Sequence, residues 1–117
     1  MEEQGKVSIW VGNLSSRNDL DKYMEEVFDE EGDSTSQFMT DFKIDYMDNQ
    51  FLEVDFNNQK ISLHQKLEGC SYLDSFRNQL PDTNENFNSL ICLYNFKYSA
   101  LIKDCNNLEY LGCFNYK

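Results

Sequence analysis

The chain carries the segment KVSIWVG at residues 6–12. Branched apolar residues occupy every second position of this segment, namely Val7, Ile9 and Val11. A period of two residues is typical of a β-strand with one buried face, and Gly12-Asn13 then breaks the pattern. We predict that the folded domain starts with a buried strand over residues 6–12, after a flexible N-terminus of residues 1–5.

Trp10 lies on the opposite side of this strand from the three branched residues. Its side chain is either covered by a helix or exposed as a binding anchor. Strands near the middle of a sheet are covered on both faces. We therefore favour a core position for Trp10 over a position in an interface.

Four later segments carry helical signals. Apolar residues recur at i, i+3, i+4, i+7 and i+8 from Leu20 to Phe28, after Ser15 or Ser16 as the capping residue. Ser36 is placed to cap a short helix that holds Phe38, Met39 and Phe42. Residues 63–67 and 72–80 form two further short helices, and Pro81 ends the second.

Three more strands are expected, at residues 51–56, 89–96 and 108–116. The first has apolar residues on one side and Glu53 and Asp55 on the other, which favours an antiparallel or edge position, and Asn57-Asn58 is expected to turn. The second is apolar on both sides, which favours a central position. A turn near residues 104–107 is expected to let the last strand pair with it. The predicted fold class is α+β: a single domain over residues 6–117, with a mixed or largely antiparallel sheet and helices packed on it.

The bulk composition limits the possible classes of protein. With 117 residues, 40% hydrophobic and 15% aromatic, the chain can bury one core. It has neither the ~20-residue apolar run of a membrane span nor a signal-peptide pattern at its start, so we expect a soluble cytoplasmic protein. The four cysteines are too widely spaced for a zinc site and are expected to be reduced thiols.

Negative charge is concentrated in one part of the chain. Residues 29–56 hold nine carboxylates and one base, Lys43, within a chain of net charge −11. Five aromatic residues lie among these acids, so the segment belongs to the fold and forms a negative face. Such a face favours a positively charged partner, although the acids could also serve solubility alone. The scattered Lys and Arg residues argue against direct binding of nucleic acid.

Catalytic and metal-binding patterns are weak. His64 is the only histidine and is expected at the surface. The series Asp29, Glu31, Asp33 lacks the Gly and Glu that a calcium loop needs at its later positions. No nucleophile, phosphate-binding or dinucleotide motif is present. We therefore predict no enzyme activity, no cofactor and no metal, and an acid-dependent hydrolase is a minor alternative.

Several short strings, taken together, resemble one known family. They are VSIWVGN at 7–13, the acidic loop at 29–33, SQFMTDF at 36–42, IDY at 44–46, FLE at 51–53, LEGCSY at 67–72 and YLGCF at 110–114. The chain resembles the immunity protein 22 family of bacterial polymorphic toxin systems, and the resemblance covers roughly residues 6–116, nearly the whole chain. The resemblance implies an α+β fold with a prominent tryptophan, here Trp10, and a cytosolic antidote that binds a toxin domain.

The charge pattern and the resemblance together give the leading hypothesis, a stoichiometric inhibitor of a basic toxin such as a nuclease. The alternative is an acidic protein-binding or scaffolding module with a non-toxin partner, and a homodimer through the aromatic surface stays open. From the charge pattern, the residues expected to bind the partner are Asp29, Glu30, Glu31, Asp33, Asp45, Tyr46, Asp48 and Phe51.

Overall fold

The computed structural model describes residues 2–81, 83, 85–99, 101–105 and 107–117. The strands within these ranges are β1 (Glu2–Gly12), β2 (Val27–Phe28), β3 (Ser34–Thr35), β4 (Leu52–Ser62), β5 (Asn86–Phe96), β6 (Asp104–Cys105) and β7 (Leu108–Asn115). The α-helices are α1 (Arg17–Met24), α2 (Gln37–Phe42), α3 (Leu63–Leu67) and α4 (Leu73–Phe76), with 3-10 turns at Asn49–Phe51 and Arg77–Gln79. The α+β prediction is confirmed.

Five strands form one antiparallel sheet in the order β4-β5-β1-β7-β6. The first strand of the chain is therefore the central one, and it starts at Glu2, four residues earlier than predicted. The prediction that the last strand pairs with residues 89–96 is wrong, because β7 pairs with β1. Residues 7–12 of β1 are buried on both faces, which suits them to the place between β5 and β7. Flexibility of residues 1–5 stays a prediction.

The sheet carries a helical layer on each face. Val7, Ile9 and Val11 pack on one face with residues of α3 and α4. Trp10 packs on the other face with residues of α1 and α2. The Trp10 side chain is fully buried, so it belongs to the core. Its ring contacts those of Phe38, Phe42, Tyr98 and Tyr110 at centroid distances of 4.9–5.9 Å.

Serine caps define the helix starts, as predicted. Ser16 Oγ accepts the backbone N–H of Asp19 at 3.1 Å, and Ser36 Oγ accepts that of Met39 at 3.2 Å. Each bond satisfies a backbone donor that has no partner inside the helix. Ser62 and Gln65 add a capping box at the start of α3, which the sequence analysis did not identify.

The first helix is shorter than its apolar spacing predicts. It ends at Met24, and Val27 and Phe28 instead pair with Thr35 and Ser34 in a small hairpin. Carboxylates at Glu25 and Glu26 would meet the negative end of a longer helix. Val27 and Phe28 are a β-branched and an aromatic residue, both suited to a strand. As a result, both side chains leave the core and become exposed.

Strand β4 is an edge strand, as its one polar face indicates, but it extends to Ser62. The predicted turn at Asn57-Asn58 is instead part of a bulge, because the register with β5 shifts between Phe56 and Ile61. The predicted helix over residues 72–80 is divided into α4 and a 3-10 turn. Tyr72 precedes α4 with a left-handed backbone (φ 62°), so the helix begins after it.

The predicted central strand also changes face near its end. Leu90, Cys92 and Tyr94 share one face, as expected, but Phe96 packs with the Trp10 cluster on the other. Asn95 has a left-handed backbone (φ 56°), which interrupts the alternation of side chains along β5. Asparagine tolerates this conformation better than most residues. A period-two pattern therefore predicted the faces correctly only up to Tyr94.

Two acids face each other on β6 and β7, and removing one charge is expected to stabilise the fold. Asp104 is directly opposite Glu109. Burial, then the charges of Glu85 and Asp104, raise the pKa of Glu109. A raised carboxyl pKa means that the ionised form costs stability at neutral pH, and this cost disappears below the unfolded-state pKa of about 4.3. We expect Glu109→Gln to raise the free energy of unfolding by about 0.5 kcal/mol at pH 7. The expected gain is small because Glu109 is exposed and its charge is screened by solvent.

Thermal unfolding of both proteins at pH 7 and near pH 3.5 checks this expectation. The gain should be present at pH 7 and absent at the lower pH. Glu68→Gln removes a carboxylate from an exposed position at the end of α3 and is the matched control. A gain for Glu109→Gln that is equal at both pH values would mean that charge repulsion is not its cause.

Candidate partner-binding surface

The β2–β3 hairpin presents the first part of the surface. Phe28 lies in β2, the first strand of this hairpin, and is 66% exposed. Asp29 Oδ1 accepts the backbone N–H groups of Glu31 and Asp33, both at 2.9 Å. Gly32 has φ +86°, a conformation that costs glycine little. Asp29 therefore fixes the conformation of the hairpin loop, in which the other acids, Glu30, Glu31 and Asp33, are exposed.

The 3-10 turn at Asn49–Phe51 presents the second part. Asp48 starts this turn, and its Oδ1 accepts the backbone N–H of Gln50 at 3.0 Å. Glu26 connects the turn to the hairpin. Its Oε2 accepts from Asn49 Nδ2 at 2.9 Å, and its Oε1 accepts from Ser34 Oγ at 3.3 Å. One carboxylate thus holds together two segments that are well separated in sequence.

A concave surface of about 460 Å³ lies between the two segments, and we name it the acidic groove. It is lined by Glu26, Phe28, Gly32, Asp33, Ser34, Asp45, Tyr46, Met47, Asp48 and Asn49. Four of these residues are acidic and none is basic. The carboxylates of Asp33 and Asp45 have no hydrogen bond or ion pair within the described ranges, so both are available to a partner.

The structure brings together half of the residues that the sequence analysis selected. Asp33, Asp45, Tyr46 and Asp48 all line the acidic groove. The other four lie outside its lining. They are Asp29, Glu30 and Glu31 in the hairpin loop, and Phe51, which is 40% exposed at the end of the 3-10 turn.

Sequence reasoning missed Glu26 and Phe28, because the helical spacing from Leu20 placed both on a helix. A competing signal was present in the same residues. A β-branched and an aromatic residue, Val27 and Phe28, precede a five-residue loop that contains glycine, and Ser34-Thr35 follows. This pattern is typical of a hairpin with a longer loop.

Tyr46 separates the acidic groove from a second concave surface. That surface has a volume of about 680 Å³ and shares Asp45 and Tyr46 with the groove. Its other charged residues are mixed in sign: Glu2, Glu3, Lys43 and Lys97. Tyr46 lines both surfaces and is 61% exposed. An exposed aromatic residue at such a place suits a binding anchor.

Titratable groups with shifted pKa values lie mainly elsewhere. Burial, then the thiols of Cys92 and Cys70 and the carboxylate of Glu53, raise the pKa of Tyr94. Its hydroxyl donates to Glu53 Oε1 or to the carbonyl of Ser71, at 3.0 and 2.6 Å. His64 is exposed on α3, as predicted. Within the described ranges, no three His, Cys, Asp or Glu side chains are grouped so as to hold a metal ion.

The fold and this surface define a class of protein: a small α+β domain with a helical layer on each face of its sheet and an acidic groove bordered by exposed aromatic residues. The family model described as Immunity protein 22 matches residues 7–117. The chain belongs to this family. Membership of this family supports an immunity role, in which the partner is a toxin protein.

The other comparisons add no relative. No match was found among curated proteins or among solved structures. Among the helices of the described residues, none has the length and apolar character needed to cross a membrane.

Proposed function

We propose that this protein neutralises a basic toxin domain of a polymorphic toxin system in the bacterial cytoplasm, and that the toxin docks on the acidic groove. A nuclease is the toxin class that this proposal favours. Nucleases must attract phosphate, so they carry clustered Lys and Arg near their active sites. The observation that carries the proposal is the groove itself, in which four carboxylates meet without a basic residue.

Charge complementarity supports this placement. Asp33 and Asp45 have no partner among the described residues, so a toxin Lys or Arg could pair with them without breaking an existing contact. A chain with net charge −11 also attracts a basic protein from a distance and speeds their encounter. The same charge disfavours acidic proteins as partners.

Exposed aromatic side chains supply the second requirement of a tight interface. Phe28 and Tyr46 border the groove with 66% and 61% of their side chains exposed. Aromatic anchors account for much of the energy in protein interfaces, while surrounding charges set specificity and rate. The groove combines both kinds of group on a surface held by Glu26 and Asp48.

The test starts from the neighbouring gene: we expect it to encode a large secreted protein with a toxin-like C-terminal domain, and binding to that domain is then measured. We expect co-purification of the two proteins and inhibition of the toxin. The Asp33→Lys/Asp45→Lys variant should bind about 100-fold more weakly, because like charges brought together cost several kcal/mol. Phe28→Ala should also weaken binding, mainly through faster dissociation, with no change in charge. Binding of the wild-type protein should weaken steeply as salt rises.

The matched control is Glu68→Lys/Asp74→Lys, which makes the same change in net charge at exposed positions outside the groove lining. It should reduce affinity only slightly. Equal losses for the two double variants would show that net charge matters and the groove does not. Unchanged affinity of the Asp33→Lys/Asp45→Lys variant would place the toxin on another surface.

A further inference from the structure

Two cysteines 22 positions apart in sequence meet under the layer formed by α3 and α4. The Sγ atoms of Cys70 and Cys92 are 3.5 Å apart, and either thiol can donate to the other. Cys92 lies in the middle of β5 and is fully buried, and Cys70 lies in the connection between α3 and α4. All four cysteines are free thiols in the structure. The lining of the acidic groove includes neither member of this pair.

Cys70 is the member of the pair that solvent can reach. It is partly exposed and lines a cavity of about 450 Å³ with Lys66, Glu53 and Asp55 among its other walls. Cys92 has no such access. A hydrogen bond to Cys70, then burial and the nearby carboxylates of Glu53 and Asp55, raise the pKa of Cys92 well above its usual value. Cys70 is therefore the accessible thiol of the pair, and Cys92 is the buried one.

The connection that carries Cys70 has room to close the remaining gap. A disulfide needs its sulfur atoms about 2.05 Å apart, so they must approach by about 1.5 Å. Residues 68, 69, 71 and 72, which flank Cys70, are all exposed. A Cβ built on Gly69 would meet no atom within 4 Å, so the backbone there is uncrowded. Ser71 is hydrogen-bonded to Glu53 and Tyr94. We therefore expect the approach to come from the Cys70 side chain and from movement at Gly69, with β5 in place.

We propose that Cys70 and Cys92 form an oxidation site, at which a small hydroperoxide converts the pair into a disulfide. The Cys70 thiolate attacks one peroxide oxygen, the O–O bond breaks, and Cys70 becomes a sulfenic acid while hydroxide leaves and takes up a proton. The Cys92 sulfur then attacks Cys70 Sγ, the S–O bond breaks, and water leaves with the thiol proton. Two thiols lose two electrons in total, and hydrogen peroxide is reduced to two waters.

The charges around the cavity favour this class of oxidant over an anionic disulfide such as oxidised glutathione. Glu53, Asp55 and Lys66 line the cavity beside Cys70, and since Lys66 is paired with Asp55, a net negative charge from Glu53 is left there. Carboxylates repel an anionic reagent, whereas hydrogen peroxide is small and uncharged. The product would link the α3–α4 connection covalently to β5.

Tryptic peptides of the full chain give a direct readout. Cleavage after Lys66, Arg77 and Lys97 places Cys70 and Cys92 in separate peptides, 67–77 and 78–97. Cys105 and Cys113 stay together in peptide 104–117. After treatment of the reduced protein with hydrogen peroxide and alkylation, we expect 67–77 linked to 78–97, and dithiothreitol should separate them. The melting temperature should rise by about 5–10 °C on oxidation.

Variants assign the two steps. Cys92→Ala should stop the reaction at the Cys70 sulfenic acid, which dimedone traps, and Cys70→Ser should prevent both products. Cys105→Ser/Cys113→Ser is the matched control and should still form the link, because neither of these thiols takes part in the two proposed steps. A first product within peptide 104–117, or terminal oxidation of Cys70 without the link in the wild-type protein, would overturn the proposal. The outcome does not depend on toxin binding.

Discussion

Trp10→Ala is expected to destabilise the protein by about 4 kcal/mol, within the range of large-to-small changes of buried aromatic residues. The side chain is fully buried at the centre of the sheet and contacts four aromatic rings. Truncation would leave a cavity that the rigid strand cannot close. Since domains of this size are stable by only about 5–15 kcal/mol, between about a quarter and four fifths of that margin would be lost. Urea unfolding followed by far-UV circular dichroism measures the loss.

Trp10→Phe is the control that separates packing from polarity. Among the described residues, Nε1 of Trp10 is a buried donor without an acceptor. Phenylalanine removes this unpaired donor and keeps one aromatic ring, so we expect a loss clearly smaller than that of alanine. If both variants unfold at the same urea concentration as the wild-type protein, the Trp10 cluster does not hold the α1–α2 layer on the sheet.

Asp55→Ala is expected to lower the free energy of unfolding by about 3 kcal/mol, because it leaves the buried ammonium group of Lys66 without its carboxylate partner. The Lys66 side chain is fully buried, and its Nζ is 2.9 Å from Asp55 Oδ2. Its other acceptor is Asn57 Oδ1 in the β4 bulge. The Asp55 side chain is 55% exposed, so water can solvate its carboxylate if Lys66 is removed. The two members of this pair therefore differ in what their loss leaves behind.

Lys66→Met is the matched variant, since methionine keeps much of the side-chain volume without the charge. We expect the free energy of unfolding of this variant to differ from that of the wild-type protein by no more than about 1 kcal/mol. The double variant Asp55→Ala/Lys66→Met should be more stable than Asp55→Ala alone, as a double-mutant cycle by urea unfolding would show. Equal losses for the two single variants that add in the double variant would contradict the asymmetry argued here.

Local patterns predicted the elements whose signals lie within a few residues. Ser16 and Ser36 each precede an apolar helical pattern, and the structure has both caps. The alternation of Val7, Ile9 and Val11 also corresponds to a real strand. Errors occurred where two local patterns compete, as between Leu20 and Phe28, or where one left-handed residue, Asn95, changes the face of a strand.

The sequence predicted four of the ten residues that line the candidate site. Its clustered acids indicated a negative face, and Asp33, Asp45, Tyr46 and Asp48 do line one groove. The sequence analysis did not identify Glu26 and Phe28, because it placed both residues on a helix. Their place depends on the hairpin and on the contact of Glu26 with Asn49, 23 positions away.

The sequence by itself determined the α+β class, the helix caps, the charge and the membership of the immunity protein family. These depend on composition, on short strings and on relations between residues at most a turn or two apart. Only the tertiary structure decided that β1 is the central strand, that Trp10 is core, that Cys70 meets Cys92, and that four carboxylates share a groove. The physical reason is that strand order and side-chain contacts between distant segments follow from burial of both sheet faces together, which no local periodicity encodes.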